Sequence, residues 1–89
     1  MKHFNIRVSG KVQGVYFRAS TREQADRLGV KGFVCNEANG DVYIEAESNE
    51  DTLNKFLEWC AQGPARASVD QIKVSEGAVK GFTSFEITR

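Results

Sequence analysis

Two glycines and an arginine near the N-terminus have the types and spacing of an anion-binding loop. Gly10 and Gly14 lie in the segment Gly-Lys-Val-Gln-Gly-Val-Tyr-Phe-Arg, which ends at Arg18. Glycine accepts positive φ angles, so successive backbone amides can turn toward one point and attract an anion. A guanidinium can bind two phosphate oxygens at once, which a lysine ammonium cannot do. The spacing also fits a tight surface loop with a solvated arginine, and no Walker A sequence follows.

The loop is flanked by patterns that would hold it between a strand and a helix. Residues 3–9 alternate between apolar and polar positions, which predicts a half-buried strand. From Arg18 to Leu28 the apolar positions follow helical spacing, and Gly29 occupies the position of a C-cap glycine. A strand-to-helix turn exposes the first backbone N–H groups of the helix, and those groups attract anions.

The rest of the chain predicts one more helix and further strands. Strands are predicted at residues 30–36, 41–47 and 67–76, with a short final strand marked by Phe85 and Ile87. The first two form a hairpin through Asn39-Gly40, and the apolar parity of the third slips, which indicates a β-bulge or a late strand start. A helix capped by either Ser48 or Asn49 is predicted to end before Gly63-Pro64.

This order of elements is that of the split βαβ, or ferredoxin-like, arrangement. We therefore predict an α+β fold, a ferredoxin-like βαββαβ sandwich in which an antiparallel sheet carries two helices on one face. A chain of 89 residues has no room for a second hydrophobic core, so residues 1–89 are expected to form a single domain.

Two blocks of the sequence closely resemble the signatures of the acylphosphatase family. The first is Val-Ser-Gly-Lys-Val-Gln-Gly-Val-Tyr-Phe-Arg at residues 8–18. The second is Gly-Phe-Val-Cys-Asn at residues 32–36, followed by Asn-Gly-Asp-Val at residues 39–42. The family often has an acidic residue where this chain has Asn39, but Asn-Gly serves the turn as well. The resemblance covers nearly the whole chain and implies the same ferredoxin-like architecture.

The resemblance implies an enzyme that hydrolyses the carboxyl-phosphate bond of small acyl phosphates to a carboxylate and inorganic phosphate. Arg18 and Asn36 would be catalytic, with Arg18 binding the phosphate and Asn36 orienting the attacking water. The implied phosphate-binding loop comprises Gln13, Gly14, Val15, Tyr16, Phe17 and Arg18. One of Tyr16 and Phe17 is expected to pack beneath the loop, and the other could contact the acyl group. No metal and no other cofactor is expected.

The competing interpretation is a non-catalytic ferredoxin-like binding module for a phosphorylated metabolite or RNA. The 12 basic and 12 acidic residues cancel, which argues against a nucleic-acid partner. Lys31-Gly32-Phe33 begins like an RNA-recognition motif, but the aromatic pattern then fails. A binding module also leaves the positions of Arg18 and Asn36 unexplained.

The hydropathy pattern predicts a soluble protein. No apolar run has the length of a signal peptide or a membrane span. We expect a cytoplasmic monomer whose partner is a small-molecule acyl phosphate, with neither a membrane nor a nucleic acid as a partner.

Five other residues have side chains of types that can catalyse reactions or bind metals, but the sequence predicts no such role for them. His3 is predicted to be solvated on the polar face of the first strand, and no His/Cys cluster suggests a metal site. Glu45 and Glu47 are predicted to be solvated acids on one face of the third strand. Strand parity and helical phase place Cys35 and Cys60 in different layers, so both are predicted to be free thiols.

Overall fold

The computed structural model describes residues 1–88, in which two helices pack on one face of a five-stranded sheet. The strands are β1 (Lys2–Lys11), β2 (Lys31–Asn36), β3 (Val42–Ser48), β4 (Ser68–Gly77) and β5 (Phe85–Ile87), and the helices are α1 (Phe17–Leu28) and α2 (Glu50–Gln62). The spatial order of the strands is β4-β1-β3-β2-β5. The ferredoxin-like α+β prediction is therefore confirmed.

The sheet is mixed rather than wholly antiparallel. Strands β1 to β4 pair antiparallel with their neighbours, as predicted, whereas β5 pairs parallel with β2. The cause is the path of the chain after β4. That strand ends opposite His3, and the chain then crosses the ends of β1 and β3 before Phe85 pairs with Gly32. Because β2 also begins at that end of the sheet, β5 runs in the same direction as β2.

The hydrophobic core lies between the helices and the sheet. Its central members are the side chains that the alternation and the helical spacing predicted to face inward: Phe4, Ile6, Val8, Ala25, Val42, Ile44, Leu53, Phe56 and Cys60.

Helix α2 begins at an Asn49 cap, whose Oδ1 accepts a hydrogen bond from the Thr52 backbone N–H at 2.8 Å. Of the two predicted caps, Asn49 rather than Ser48 is therefore used. None of the helices formed by residues 1–88 is long and apolar enough to cross a membrane.

The predicted slip in β4 is a β-bulge. The pairing of β1 with β4 shifts register between Ser9 and Gly10, which leaves Asp70 as an extra residue on β4. Gly10 has φ 126°, and a Cβ there would lie 2.3 Å from the backbone oxygen of Ser68. Glycine is thus required at position 10 because β4 approaches the backbone closely there. The sequence had suggested another reason, namely that Gly10 helps to form an anion-binding loop.

The prediction that His3, Glu45 and Glu47 are solvated is wrong. Their side chains lie on the sheet face opposite the helices, as parity required, yet their exposed fractions are only 2%, 7% and 0%. The segment 78–84, which joins β4 to β5, covers this end of the open face. Its Phe82 ring stacks on the His3 ring with centroids 5.9 Å apart.

The Glu47 carboxylate is the point at which the covering segment is attached to the sheet. It accepts hydrogen bonds from three successive backbone N–H groups, those of Lys80 at 2.6 Å and of Gly81 and Phe82 at 3.0 Å each. Nδ1 of His3 lies 2.7 Å from the same carboxylate. A buried carboxylate is costly unless hydrogen-bond donors satisfy it, and Glu47 has three backbone donors beside the His3 ring.

A second layer of polar contacts surrounds this attachment. Nε2 of His3 lies 2.8 Å from Oδ1 of Asn5 and 3.2 Å from Oε1 of Glu45. Both ring nitrogens therefore lie within hydrogen-bonding distance of side-chain oxygens. The other partners of Glu45 are Nζ of Lys80 and the hydroxyl of Tyr43, each at 2.8 Å.

These contacts determine the acidity of Glu47. Burial by itself raises the pKa of this carboxyl, but the hydrogen bonds from Lys80, His3, Phe82 and Gly81 outweigh burial and lower the pKa to about 2. The charged form is therefore the one that the folded protein stabilises.

Both cysteines are free thiols, as predicted. Val34 is buried against the helices, so its neighbour Cys35 points to the opposite face of the sheet. Cys60 lies in the core, where burial raises the pKa of its thiol.

The Glu47 network generates a stability prediction. Glu47→Gln keeps the shape of the side chain but removes the charge that three backbone amides and His3 share. We expect the free energy of unfolding to fall by on the order of 3 kcal/mol, because the donors stay buried with a poorer acceptor. Urea unfolding followed by circular dichroism measures the change. Glu58→Gln, on the exposed face of α2, is the matched control and should unfold like the wild type. Equal midpoints for the two variants would contradict the role of Glu47.

The same network predicts that the free energy of unfolding decreases in acid. The pKa of Glu47 is lowered from 4.5 to about 2 in the folded state, so its stabilising contribution is complete above about pH 4.5. The contribution should be lost as the pH falls from 4.5 toward 2. Urea unfolding at pH 7, 4, 3 and 2 should therefore show the gap between wild type and Glu47→Gln closing over that interval. A gap that stays constant down to pH 2 would refute the assignment.

Candidate active site

A cavity of about 410 Å³ opens where the β1–α1 loop meets the end of β2 and the final strand β5. Its lining combines the loop, the first turn of α1 and one residue from each of the two strands: Val12, Gly14, Tyr16, Phe17, Arg18, Ala19, Asn36 and Ile87. The volume falls in the range of small-ligand pockets.

The structure brings together most of the residues that the sequence singled out. Arg18 and Asn36 line the same cavity although they come from different elements. Gly14 also lines it, with φ 72° and open space where a Cβ would lie. Gln13 and Val15 are not part of the lining. The Val15 side chain is buried in the core instead.

Gln13 connects the loop to the hairpin that carries Asn36. Its Nε2 donates hydrogen bonds to the backbone oxygens of Glu37 at 2.8 Å and of Asp41 at 2.9 Å. Arg7 of β1 forms an ion pair with the Glu37 side chain. Because Glu37 directly follows Asn36, these contacts fix the position of the loop relative to the Asn36 side chain.

The two aromatic residues of the loop have opposite environments. Phe17 is buried, and its ring packs against Trp59 with centroids 5.7 Å apart. Tyr16 is 70% exposed and has φ 62° and ψ 23°, the left-handed conformation. Phe17 is therefore the residue that packs beneath the loop, which leaves Tyr16 at the mouth of the cavity.

The first turn of α1 is built differently from that of α2. Helix α2 has the Asn49 side-chain cap and two acids, Glu50 and Asp51, in its first turn. Helix α1 begins at Tyr16 with no side-chain cap and has no acid in its first turn. The positive end of the α1 dipole and its first N–H groups thus border the cavity, and no acidic side chain of residues 1–88 lines it.

The Asn36 side chain also has unused hydrogen-bonding capacity. Its Oδ1 is buried and has no hydrogen-bond partner among residues 1–88. Leaving a buried polar oxygen unsatisfied costs about 1–3 kcal/mol. Among residues 1–88, Arg18 contributes the one charged side chain of the lining, and it forms no salt bridge with any of them. The cavity therefore offers a cation, free amides and an unpaired carboxamide.

Three lining residues were missed by the sequence reasoning. Val12 and Ala19 flank the predicted loop and could have been included by extending it at either end. Ile87 lies on β5, which the pattern identified as a strand without revealing where it pairs. Within residues 1–88, His, Cys, Asp and Glu side chains form no group of three that could hold a metal ion.

Comparisons with known proteins agree with this geometry. The acylphosphatase family model matches residues 4–87. An acylphosphatase of Thermotoga petrophila is 47% identical over 87 residues, which cover 98% of this chain and 97% of that protein. An acylphosphatase of Gloeobacter violaceus is 45% identical over 85 residues, covering 96% and 91% of the two chains.

Solved structures of acylphosphatases are also similar to this chain. The crystal structure of an acylphosphatase from Bacillus subtilis superposes with a TM-score of 0.97 at 36% identity and covers all of both chains. An acylphosphatase from Coxiella burnetii gives a TM-score of 0.94 at 36% identity, over 98% of this chain and 92% of the other. With a family match over most of its length and relatives of this similarity, the chain belongs to the acylphosphatase family of hydrolases.

Proposed function

We propose that this enzyme hydrolyses small acyl phosphates by direct attack of water on phosphorus, without a metal and without a covalent intermediate. The observation that carries the proposal is that Arg18, the bare N-terminus of α1 and the unpaired carboxamide of Asn36 border one cavity. In the overall reaction an acyl phosphate dianion and water yield a carboxylate and dihydrogen phosphate. The bond broken is the one between phosphorus and the carboxyl oxygen.

The phosphate end of the substrate would bind to Arg18 and the loop amides. The guanidinium donates to two phosphate oxygens, and the N–H groups around Gly14 and the first turn of α1 donate to the others. Charge on the equatorial oxygens is what phosphoryl transfer requires the protein to stabilise. These donors are fixed before the substrate arrives, because Gln13 ties the loop to the β2–β3 hairpin.

Asn36 would hold the attacking water. Its buried Oδ1 lacks a partner, and a water bound there would satisfy it while donating a second hydrogen toward the phosphate. An amide cannot take up a proton near neutral pH, and the residues within 1–88 that line the cavity include no His, Asp, Glu or Lys. The water proton is therefore assigned to a phosphate oxygen of the substrate. Carboxylate is a good leaving group, so protonation of the leaving oxygen is not needed.

Activity is predicted in the absence of divalent metal. Purified protein in excess EDTA should release phosphate from benzoyl phosphate and from acetyl phosphate well above the buffer rate. Restoration of a lost activity by added Mg²⁺ or Zn²⁺ would refute metal independence, and no hydrolysis under either condition would refute the enzymatic assignment.

Two substitutions test the residue roles. Arg18→Ala should lower kcat/KM by on the order of 10³-fold or more, because the charge that stabilises the equatorial oxygens is lost. Asn36→Ala should lower kcat by on the order of 10²-fold, as the loss of one positioning group does in other enzymes. Arg22→Ala and Asn39→Ala, both exposed and outside the cavity, are the matched controls and should retain the wild-type rate. Full activity of Asn36→Ala would remove the water-orienting role.

Inorganic phosphate should stabilise the fold if the loop binds it. At 100 times its Kd a ligand that binds only the folded state adds about 2.7 kcal/mol to the free energy of unfolding. The melting temperature should therefore rise with millimolar phosphate in the wild type and not in Arg18→Ala. Sulfate at equal ionic strength distinguishes anion binding from a general salt effect, since both anions should act on the wild type and chloride should not.

The remaining predictions concern the setting of the enzyme. A single domain over residues 1–89, a monomeric state, a cytoplasmic location and the absence of a nucleic-acid partner stay predictions from composition and pattern. Family membership favours catalysis over the binding-module alternative.

A further inference from the structure

We infer that Asn39 is a site of spontaneous deamidation, and that its isoaspartate product weakens the attachment of the phosphate-binding loop and lowers the activity. The chemistry needs an asparagine amide and the backbone nitrogen of the next residue, and it consumes only water. The modification itself is independent of the proposed function. Its effect on the rate rests on that function, because Gln13 of the loop binds the turn that contains Asn39.

The residue after Asn39 is the first argument. Asparagine is among the thermolabile residues, and Asn39 is the one asparagine of this chain that precedes a glycine. A side chain on the following residue hinders the approach of its backbone nitrogen to the amide carbon, and glycine has none. Nothing lies within 4 Å of the position that a Cβ of Gly40 would take. The other four asparagines are followed by larger residues: Asn5 by isoleucine, Asn36 and Asn49 by glutamate, and Asn54 by lysine.

The contacts of the Asn39 amide are the second argument. Asn39 is exposed in the β2–β3 turn, and its Oδ1 accepts a hydrogen bond from the Asp41 backbone N–H at 3.0 Å. A donor at this oxygen stabilises the negative charge that forms there when a nucleophile adds to the amide carbon. The nucleophile is the nitrogen of Gly40, whose hydrogen bond to the Glu37 backbone oxygen is 3.2 Å long. The nitrogen after Asn36 is held more tightly, since the Glu37 N–H donates at 2.8 Å.

The reaction balances with one water consumed and one ammonia released. The backbone nitrogen of Gly40 gives its proton to solvent hydroxide and forms a bond to Cγ of Asn39. The bond from Cγ to Nδ2 breaks, and the nitrogen leaves as ammonia with a solvent proton. Water then opens the cyclic imide. Opening at Cγ restores the main chain and yields aspartate, whereas opening at the main-chain carbonyl yields isoaspartate, in which the chain runs through Cβ and Cγ.

Isoaspartate disturbs the contacts that fix the loop, whereas aspartate keeps the main chain unchanged. It adds one carbon atom to the chain between Glu37 and Asp41, whose backbone oxygens accept the two hydrogen bonds of Gln13 at 2.8 and 2.9 Å. A longer chain moves these two acceptors apart, so that one side-chain amide no longer reaches both. The loop thereby loses part of its attachment to the hairpin that carries Asn36.

Controlled ageing and mass spectrometry test the site. Wild-type protein and Asn39→Ala are incubated at pH 9, with portions kept at pH 6, because removal of the amide proton makes the reaction faster in base. Peptide mapping of the alkaline wild type should show conversion of amide to acid at Asn39, with no comparable conversion at Asn36. An isoaspartyl methyltransferase, which does not act on ordinary aspartate, should label the same peptide. No conversion at Asn39, or faster conversion at another asparagine, would overturn the assignment.

Rates of benzoyl phosphate hydrolysis test the consequence. The isoaspartate form, separated from the aspartate form by chromatography, should have a kcat/KM about 10-fold below that of fresh protein, because the loop is less well positioned. Asn39→Asp, which encodes the other product, and aged Asn39→Ala should keep the rate of fresh wild type. Gln13→Ala should show the loss when fresh and fall little further on ageing, because it already lacks the contact that isoaspartate breaks.

The failures of the two proposals are distinguishable. A fresh wild type that hydrolyses no acyl phosphate would refute the proposed function, while peptide mapping would still decide whether Asn39 is modified. An isoaspartate form as active as fresh protein would overturn the effect on the loop. A further 10-fold fall on ageing of Gln13→Ala would overturn the route through Gln13. An equal loss of activity in aged Asn39→Ala would show that isoaspartate is not the cause.

Discussion

The path of segment 78–84, and with it the position of β5, depends on one buried carboxylate. Glu47 is fully inaccessible to solvent, and it gathers three consecutive backbone N–H groups and the His3 ring around a single charge. The carboxylate fixes the backbone of segment 78–84 at residues 80–82, and the stacking of Phe82 on His3 and the ion pair of Lys80 with Glu45 add to that attachment. The segment in turn delivers β5 to the edge of β2, and β5 carries one wall of the cavity. A group on one face of the sheet thereby supports a site at the opposite face.

Much of this architecture could be predicted because it depends on local patterns. Alternation along β1 and β3 identified the face that packs against the helices. Gly29 and Asn49 marked helix ends, and the parity slip in β4 became a real bulge. These signals lie within a few residues of the feature they specify, and so they can be recognised in a single sequence.

The errors share a different physical origin. Parity placed His3 and Glu47 correctly on the face away from the helices, but it could not show that segment 78–84 returns to cover that face. The parallel pairing of β5 was missed for the same reason, since three residues contain no information about which edge they join. Such features depend on contacts between distant parts of the chain, and a polar residue looks the same in sequence whether it is solvated or satisfied internally.

The same distinction between local patterns and distant contacts explains which residues of the candidate site could be predicted. Arg18 and Asn36 were found from motifs, and their convergence follows from the order of elements. Ile87 and the side-chain role of Gln13 were not found, because both depend on how the loop, the hairpin and the last strand meet. The opposite environments of Tyr16 and Phe17 were also beyond the sequence. The helix that begins between them buries one ring in the core and turns the other outward.

The bulge at Asp70 affects how readily a strand of another chain can pair with the edge of this sheet. Strand β4 forms one border of the sheet, so one side of its ten residues has no neighbouring strand within the described fold. A long, regular border of that sort is a template on which another chain can add a strand and begin to aggregate. The extra residue interrupts the regular spacing of that border, and charged Asp70, Lys73 and Glu76 side chains lie exposed along it. The irregularity that fits β4 to β1 thus also makes this border a poorer template for the addition of another strand.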